Sequence, residues 1–304
     1  SLFEDNAEYG FGMKLAVDAN RKQLKTNATA LLDQAVNEDL KDAIRYALAN
    51  WDGTSSEVKN NAARIKELLA NEEKSATISK VIELQNNFVT KSVWAFGGDG
   101  WAYDIGYGGV DHVLASGKNI NILVMDTEVY SNTGGQASKA SPLGAVAKFA
   151  EAGKQTIKKD LGQMIMSYGY IYVASISMGA NKAQALKAIR EAEEFDGPSL
   201  IMAYSPCINH GIDMSMTQKE EKKAVDTGYW LLYRYNPALR NEGKNPFILD
   251  SKEPTLPVLD FLEGEKRYTS LERTFPEKVE GFRKGFTEYA TKRYETYKKM
   301  AEDK

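Results

Sequence analysis

The chain has 304 residues, a net charge of −3, 42% apolar and 27% charged residues. That describes one large or two ordinary soluble domains with a sizeable core, and it excludes disorder, collagen and coiled coil as descriptions of the whole. No third of the sequence carries a basic field, so nucleic-acid binding has no compositional support. One cysteine, Cys207, and two histidines, His112 and His210, exclude an internal disulfide and leave a Cys/His zinc site short of ligands. No apolar run approaches the ~20 residues of a membrane span. The first residues, Ser1-Leu2-Phe3-Glu4-Asp5, are acidic with no apolar stretch behind them. We therefore expect no signal peptide, no membrane contact, and a reducing, cytoplasmic setting.

In chain order, residues 1–90 read as packing helices. Leu40, Ile44, Ala47 and Leu48 share one helical face. A second helix starts after Ser55, a ready N-cap, and runs through Ala63, Ile65 and Leu69; a third covers 78–84. No residue here has an evident chemical role.

The pattern changes after residue 90. Four short apolar runs, 92–96, 119–125, 170–176 and 199–204, alternate with helical stretches at about 104–116, 160–168 and 181–194. The last opens on Asn181 and is expected to bury Ala185, Leu186, Ile189 and Ala192 on one face. Near-continuous apolar strands alternating with helices define an α/β fold, a mostly parallel sheet covered by helices on both faces. One more helix is expected at about 218–234. A Pro/Gly-containing stretch at 236–275 reads as surface loop or as an arm on a neighbour. A charged amphipathic helix at about 277–301 closes the chain.

The chemistry concentrates in two loops. The first apolar run ends in Gly97-Gly98-Asp99-Gly100-Trp101, and the second in Asp126-Thr127-Glu128-Val129-Tyr130-Ser131-Asn132-Thr133-Gly134-Gly135. Ligands of open parallel sheets bind beyond the carboxyl ends of the strands, so both loops point to the same edge. Asp99 is a hard oxygen ligand, and its flanking glycines allow an anion to approach the backbone. The following helix, expected from about Asp104, would turn its positive end to that anion. The second loop is rich in side-chain oxygens, which suits Mg²⁺ shared with phosphate. Gly-Asp-Gly alone is also an ordinary turn. Cys207 alone reads as a small buried hydrophobe, and Cys207-x-x-His210 as half a zinc site. Asp104 reads as a helix-start residue, Asp111 as a helix-surface one, and His112 as surface or structural.

Gly98-Asp99-Gly100, with Thr127 standing 28 positions after Asp99, resembles the thiamine-diphosphate signature, which has Asn where this chain has Thr127. The runs from Gly97 to Gly109 and from Asp126 to Gln136, with Ser205-Pro206-Cys207-Ile208-Asn209-His210-Gly211-Ile212, resemble the pyruvate:ferredoxin (flavodoxin) oxidoreductases, also called pyruvate synthases. The resemblance covers most of 1–304 and is densest from 91 to 212. It implies one thiamine-diphosphate-binding domain, with a helical lead-in at 1–90, an α/β core at 91–210, and a helix, arm and C-terminal helix at 211–304.

By that resemblance Mg²⁺ is held by the Asp99 carboxylate, the Thr127 side-chain oxygen and the Val129 carbonyl. Gly98, Gly100 and Trp101 line the diphosphate, with Tyr130 and Ser131 near it and Glu128 in the same cofactor-binding stretch. Asn132 faces the reacting carbons. Cys207 is the fourth ligand of a 4Fe-4S cluster whose other three cysteines lie upstream of Ser1.

The implied reaction is oxidative decarboxylation of pyruvate with coenzyme A, giving acetyl-CoA and carbon dioxide, with electrons passed to ferredoxin or flavodoxin. The domain that activates the thiamine aminopyrimidine and the further cluster-bearing domain are not in this sequence. The chain alone is expected to be inactive, and the complete enzyme to be a homodimer. The alternatives are another 2-oxoacid:ferredoxin oxidoreductase, or a non-catalytic subunit that binds a Mg²⁺–diphosphate.

Overall fold

The computed structural model describes residues 6–34 and 36–302, so the Ser1–Asp5 stretch lies outside the described residues. The chain divides into two compact units, residues 10–93 and residues 94–302 with 6–9.

The first unit is helical: α1 (Ala7–Leu31), α2 (Glu38–Ala49), α3 (Ser56–Ala70) and α4 (Ala76–Leu84). Each of the last three starts on a side-chain cap, from Asn37, Ser55 and Ser75, which accept backbone N–H groups that the first turn leaves unpaired. Leu24, Leu31, Leu40, Ile44, Ile65, Leu69, Val81 and Phe88 form its core. Arg21 crosses this core, donating to the carbonyls of Asn87 and Trp51 at 2.9 and 2.6 Å.

The second unit is built on a six-stranded sheet of order β1-β2-β4-β3-β5-β6. The strands are β1 (Trp94–Gly97), β2 (Asn121–Asp126), β3 (Tyr172–Ile176), β4 (Ser199–Tyr204), β5 (Tyr233–Tyr235) and β6 (Phe247–Leu249). The first four are parallel; β5 pairs antiparallel with β3, and β6 antiparallel with β5. The intervening helices are α5 (Asp99–Tyr103), α6 (Tyr107–Ala115), α7 (Leu161–Met166), α8 (Lys182–Glu194) and α9 (Thr217–Asp226). Beyond the sheet lie α10 (Val258–Glu263), α11 (Lys266–Thr269), α12 (Leu271–Thr274) and α13 (Pro276–Glu302). Tyr172, Ala174, Ile176 and Ile201 pack against α8. On the opposite face Met202 and Tyr233 crowd Gly162 of α7, where an added Cβ would lie 1.8 Å from the Tyr233 hydroxyl. The α/β expectation, with helices on both faces, therefore holds.

Four expectations are corrected. The helix expected over 104–116 begins only at Tyr107, as α6; a separate one-turn helix, α5, starts at Asp99, and Asp104–Gly106 between them is not helical. Helix α8 buries Ala185, Ala188 and Ala192, while Leu186 is 50% and Ile189 36% exposed. Small side chains let the helix sit close on the strands, and the bulky ones are turned out. The helix expected over 218–234 ends at Asp226. Gly228 turns the chain at φ +72°, and the apolar run after it enters the sheet as β5. The stretch 236–275 is not a loose loop. It supplies β6 and three short helices, with Phe261, Leu262, Tyr268 and Leu271 buried.

Candidate thiamine-diphosphate and metal site

The loops after β1 and β2 leave neighbouring parallel strands, with Gly97 opposite Val124. Two glycines of the first loop are imposed by aromatic rings. A Cβ at Gly97 would lie 2.0 Å from the Trp101 ring, and one at Gly100 would lie 2.5 Å from the Tyr130 ring. A Cβ at Gly98 would meet only the Met125 carbonyl, at 3.9 Å. The space beside Gly98 is therefore open, as a backbone that receives a bulky anion requires. Trp101 is 1% exposed, yet its indole Nε1 has no hydrogen-bond partner. An orphaned buried donor is rare in a closed interior and fits a site completed by a ligand with acceptor atoms.

Asp99 is 3% exposed. Its carboxylate accepts from the Thr127 N–H at 3.2 Å and faces Thr127 Oγ1 at 3.4 Å; that hydroxyl also lies 3.0 Å from the Val129 carbonyl. A threonine hydroxyl has one proton. Three oxygens thus crowd together with a single hydrogen among them, which is the donor set of a hard divalent cation. Burial first, then repulsion from Asp126, holds the Asp99 carboxyl well above the usual carboxylate range. The three residues expected to hold Mg²⁺ are therefore together, and their chemistry fits it.

Glu128 points the other way. It has a left-handed backbone, φ +58°, unusual for a residue with a Cβ. Its buried carboxylate accepts from Lys158 at 3.2 Å, Arg267 at 2.8 Å and the Tyr229 hydroxyl. Burial alone would raise this carboxyl, but Lys158 and Arg267 outweigh it and hold it at about 2. The Glu128 backbone is also taken up locally: its N–H donates to Asp126 at 3.2 Å and its carbonyl accepts from the Ser141 hydroxyl at 2.6 Å.

Tyr130 packs on Gly100, and the loop beyond it is closed by the Gly135 N–H donating to the Tyr130 carbonyl at 2.7 Å. Ser131 and Asn132 sit exposed at its tip. The loop after β4 meets it there: Cys207 Sγ lies 3.2 Å from Ser131 Oγ and 3.5 Å from Asn209 Nδ2. Cys207 is 6% exposed, beside the projecting Ile208. The expected cluster ligand and the expected cofactor loop are thus adjacent.

Asp104 does not start a helix. It ends α5 and pairs with Lys139 Nζ at 2.9 Å. The expected helix positive end therefore has no place here, α5 being a single turn that contains Asp99. His112 is exposed on α6, and Asp111 accepts from the Tyr168 hydroxyl at 2.8 Å. Sequence reading missed the buried charges behind the site. Both carboxylate oxygens of Asp126, at the end of β2, accept from Lys158 Nζ at 2.7 Å, and the Tyr103 hydroxyl and the Glu128 N–H donate to it as well. Nothing in Lys158-Lys159-Asp160 distinguishes a buried lysine from its half-buried neighbours.

Residues 78–203 match the family described as thiamine pyrophosphate enzyme, C-terminal TPP binding domain. That match spans the α/β core, which therefore carries the sequence of a thiamine-diphosphate-binding domain. The pyruvate:ferredoxin oxidoreductase of Moorella thermoacetica is 56% identical over 308 residues, covering 99% of this chain and 26% of that protein. The pyruvate-flavodoxin oxidoreductases of Klebsiella pneumoniae and Enterobacter agglomerans are 51% and 52% identical, with the same coverage. Over 99% of its length the chain is thus similar to pyruvate:ferredoxin and pyruvate-flavodoxin oxidoreductases. It spans about a quarter of the length of these relatives. Among the described residues no helix is long and apolar enough to cross a membrane.

Proposed function

We propose that this chain supplies the Mg²⁺–diphosphate half of an enzyme that oxidatively decarboxylates pyruvate to acetyl-CoA and carbon dioxide, and passes the electrons through a 4Fe-4S cluster to ferredoxin or flavodoxin. The observation that carries it is the surplus of acceptors formed by Asp99, Thr127 and Val129, one loop tip away from Cys207. Asp99, Thr127 and Val129 hold the metal; the open side of Gly98 and the Trp101 N–H receive the diphosphate. Bound thiamine diphosphate supplies an electron sink at the substrate's keto carbon, which lets carbon dioxide leave. Asn132, at the exposed tip, offers its amide to the reacting substrate. Cys207 gives one thiolate to the cluster, and the Ser131 and Asn209 donors beside its sulfur tune that ligand, since hydrogen bonds to sulfur shift cluster potentials. The other three cysteines, the coenzyme A site and the aminopyrimidine-binding domain belong to the rest of a cytoplasmic, homodimeric enzyme. Thiamine-diphosphate titration with and without Mg²⁺, on this chain and on the complete enzyme, tests the reading. Absence of Mg²⁺-dependent binding in both would sink it.

Two outcomes are expected in the complete enzyme. Asn132→Ala lowers turnover by the ~10²–10³-fold typical of a lost transition-state donor, with thiamine-diphosphate affinity nearly unchanged. Turnover measured beside affinity decides it, because an equal loss in both would place Asn132 in the diphosphate shell. Cys207→Ala opens one iron of the cluster, so anaerobic iron analysis and spin resonance should show a lost or altered cluster and ferredoxin reduction should fall. Unchanged signals with normal reduction would make Cys207 a buried structural thiol.

A further inference from the structure

Strands β2 and β4 run side by side with Asp126 opposite Tyr204, and the Ser205 N–H donates to the Asp126 carbonyl at 3.0 Å. The Thr127 loop and the Cys207 loop therefore leave the sheet together. His210 ends the short turn Ile208–His210, its N–H donating to the Cys207 carbonyl at 2.9 Å. Its side chain is fully buried. Imidazole Nε2 lies 2.7 Å from the Thr127 carbonyl oxygen. A carbonyl only accepts, so Nε2 carries the proton and donates. Nδ1, at the other end of the ring, faces the Cys207 N–H at 3.5 Å and the Glu265 carboxylate at 3.4 Å.

The ring has little room to move. Tyr204 stacks on it, 22° from parallel, and Glu265 is held in turn by Arg267 Nε at 2.6 Å. The next residue, Gly211, has φ +73°, and a Cβ there would lie 2.5 Å from Lys266. On the far side Thr127 contributes two atoms to two tasks. Its hydroxyl belongs to the oxygen set with Asp99 and Val129, and its carbonyl receives His210. Any shift of Thr127 toward a cation is felt at the imidazole and, through the turn, at Cys207.

We infer that His210 is a positioning residue that couples the two loops, so that filling the metal–diphosphate site firms the seat of the Cys207 sulfur, and the reverse. This rests on the reading that Thr127 serves the metal and Cys207 the cluster. Coupling between sites is reciprocal and commonly amounts to about 5–150-fold.

The test uses the complete enzyme and two variants close to histidine in size. In His210→Gln the terminal amide N–H replaces Nε2–H and still reaches the Thr127 carbonyl. In His210→Asn the amide stops at the Nδ1 position and cannot. The readout is the rate at which a chelator removes iron, with and without Mg²⁺–thiamine diphosphate, beside the spin-resonance signal of the reduced cluster. Wild type and His210→Gln should be protected roughly tenfold by the cofactor, whereas His210→Asn should keep its iron but lose the protection. Protection of His210→Asn equal to wild type, or no protection in wild type, overturns the inference. A parallel Cys207→Ala sample locates the failure. If its iron release and signal match wild type, the reading of Cys207 as ligand falls and takes the coupling with it. If Cys207→Ala alters the cluster while His210→Asn stays protected, only the role of His210 falls.

Discussion

Asp99→Asn should abolish Mg²⁺-dependent thiamine-diphosphate binding in the complete enzyme while leaving the fold intact. Even the outer partners of metal ligands are worth ~10–100-fold in metal affinity, so removing a charged ligand should weaken binding by at least about 100-fold. The amide is nearly isosteric and can still accept from the Thr127 N–H. It also removes a buried negative charge that Asp126 and Glu128 repel, so the cofactor-free variant should unfold no earlier than wild type on heating. Affinity by titration and thermal unfolding without cofactor are the two measurements. Unchanged affinity would remove Asp99 from the metal site. A strongly destabilised apo variant would show that the carboxylate serves structure instead.

Lys158→Met should destabilise the protein by about 3–5 kcal/mol, the usual effect of removing one partner from a buried ion pair. Burial alone would lower this ammonium, but Asp126 and Glu128 outweigh it and raise it above its ordinary value. Without Lys158, Asp126 keeps only the Tyr103 hydroxyl and the nearby Glu128 amide, at 3.2 Å, while Glu128 retains Arg267. The unpaired charge therefore falls on Asp126, and adding Asp126→Asn should recover much of the loss. Chemical unfolding of the single and double variants is the check. A loss below about 1 kcal/mol would mean that water enters and screens the pair.

The parallel half of the sheet was legible because four apolar runs of strand length alternate with helices, and because side-chain caps such as Ser55 and Asn181 mark helix starts. Asp99, Thr127 and Val129 were named together only through the family resemblance; that their loops lie side by side follows from the pairing of β1 with β2. Three features were not. Helix α8 buries alanines, since close packing on a sheet favours small residues over hydrophobic ones. Tyr229–Tyr233 is an unbroken apolar run, so its periodicity could not separate a strand from the end of a helix. Arg267 and Lys158 reach Glu128 from 139 and 30 positions away, a pairing no local pattern announces. For the same reason Glu128, read as a cofactor contact, proved to have its side chain in that network.

The strand order has a consequence for how the molecule is made. In space β4 lies between β2 and β3, although it is the last of the three to be synthesised. Until β4 emerges, the edge of β2 that ends in Asp126 has no neighbour on that side, and the Thr127 loop has no His210 to receive. Such late, long-range pairing slows folding, because chain closure must precede the contacts that reward it. The pairing of β2 with its inner neighbour, and with it the placing of the Thr127 carbonyl against His210, therefore has to follow translation of this part of the chain.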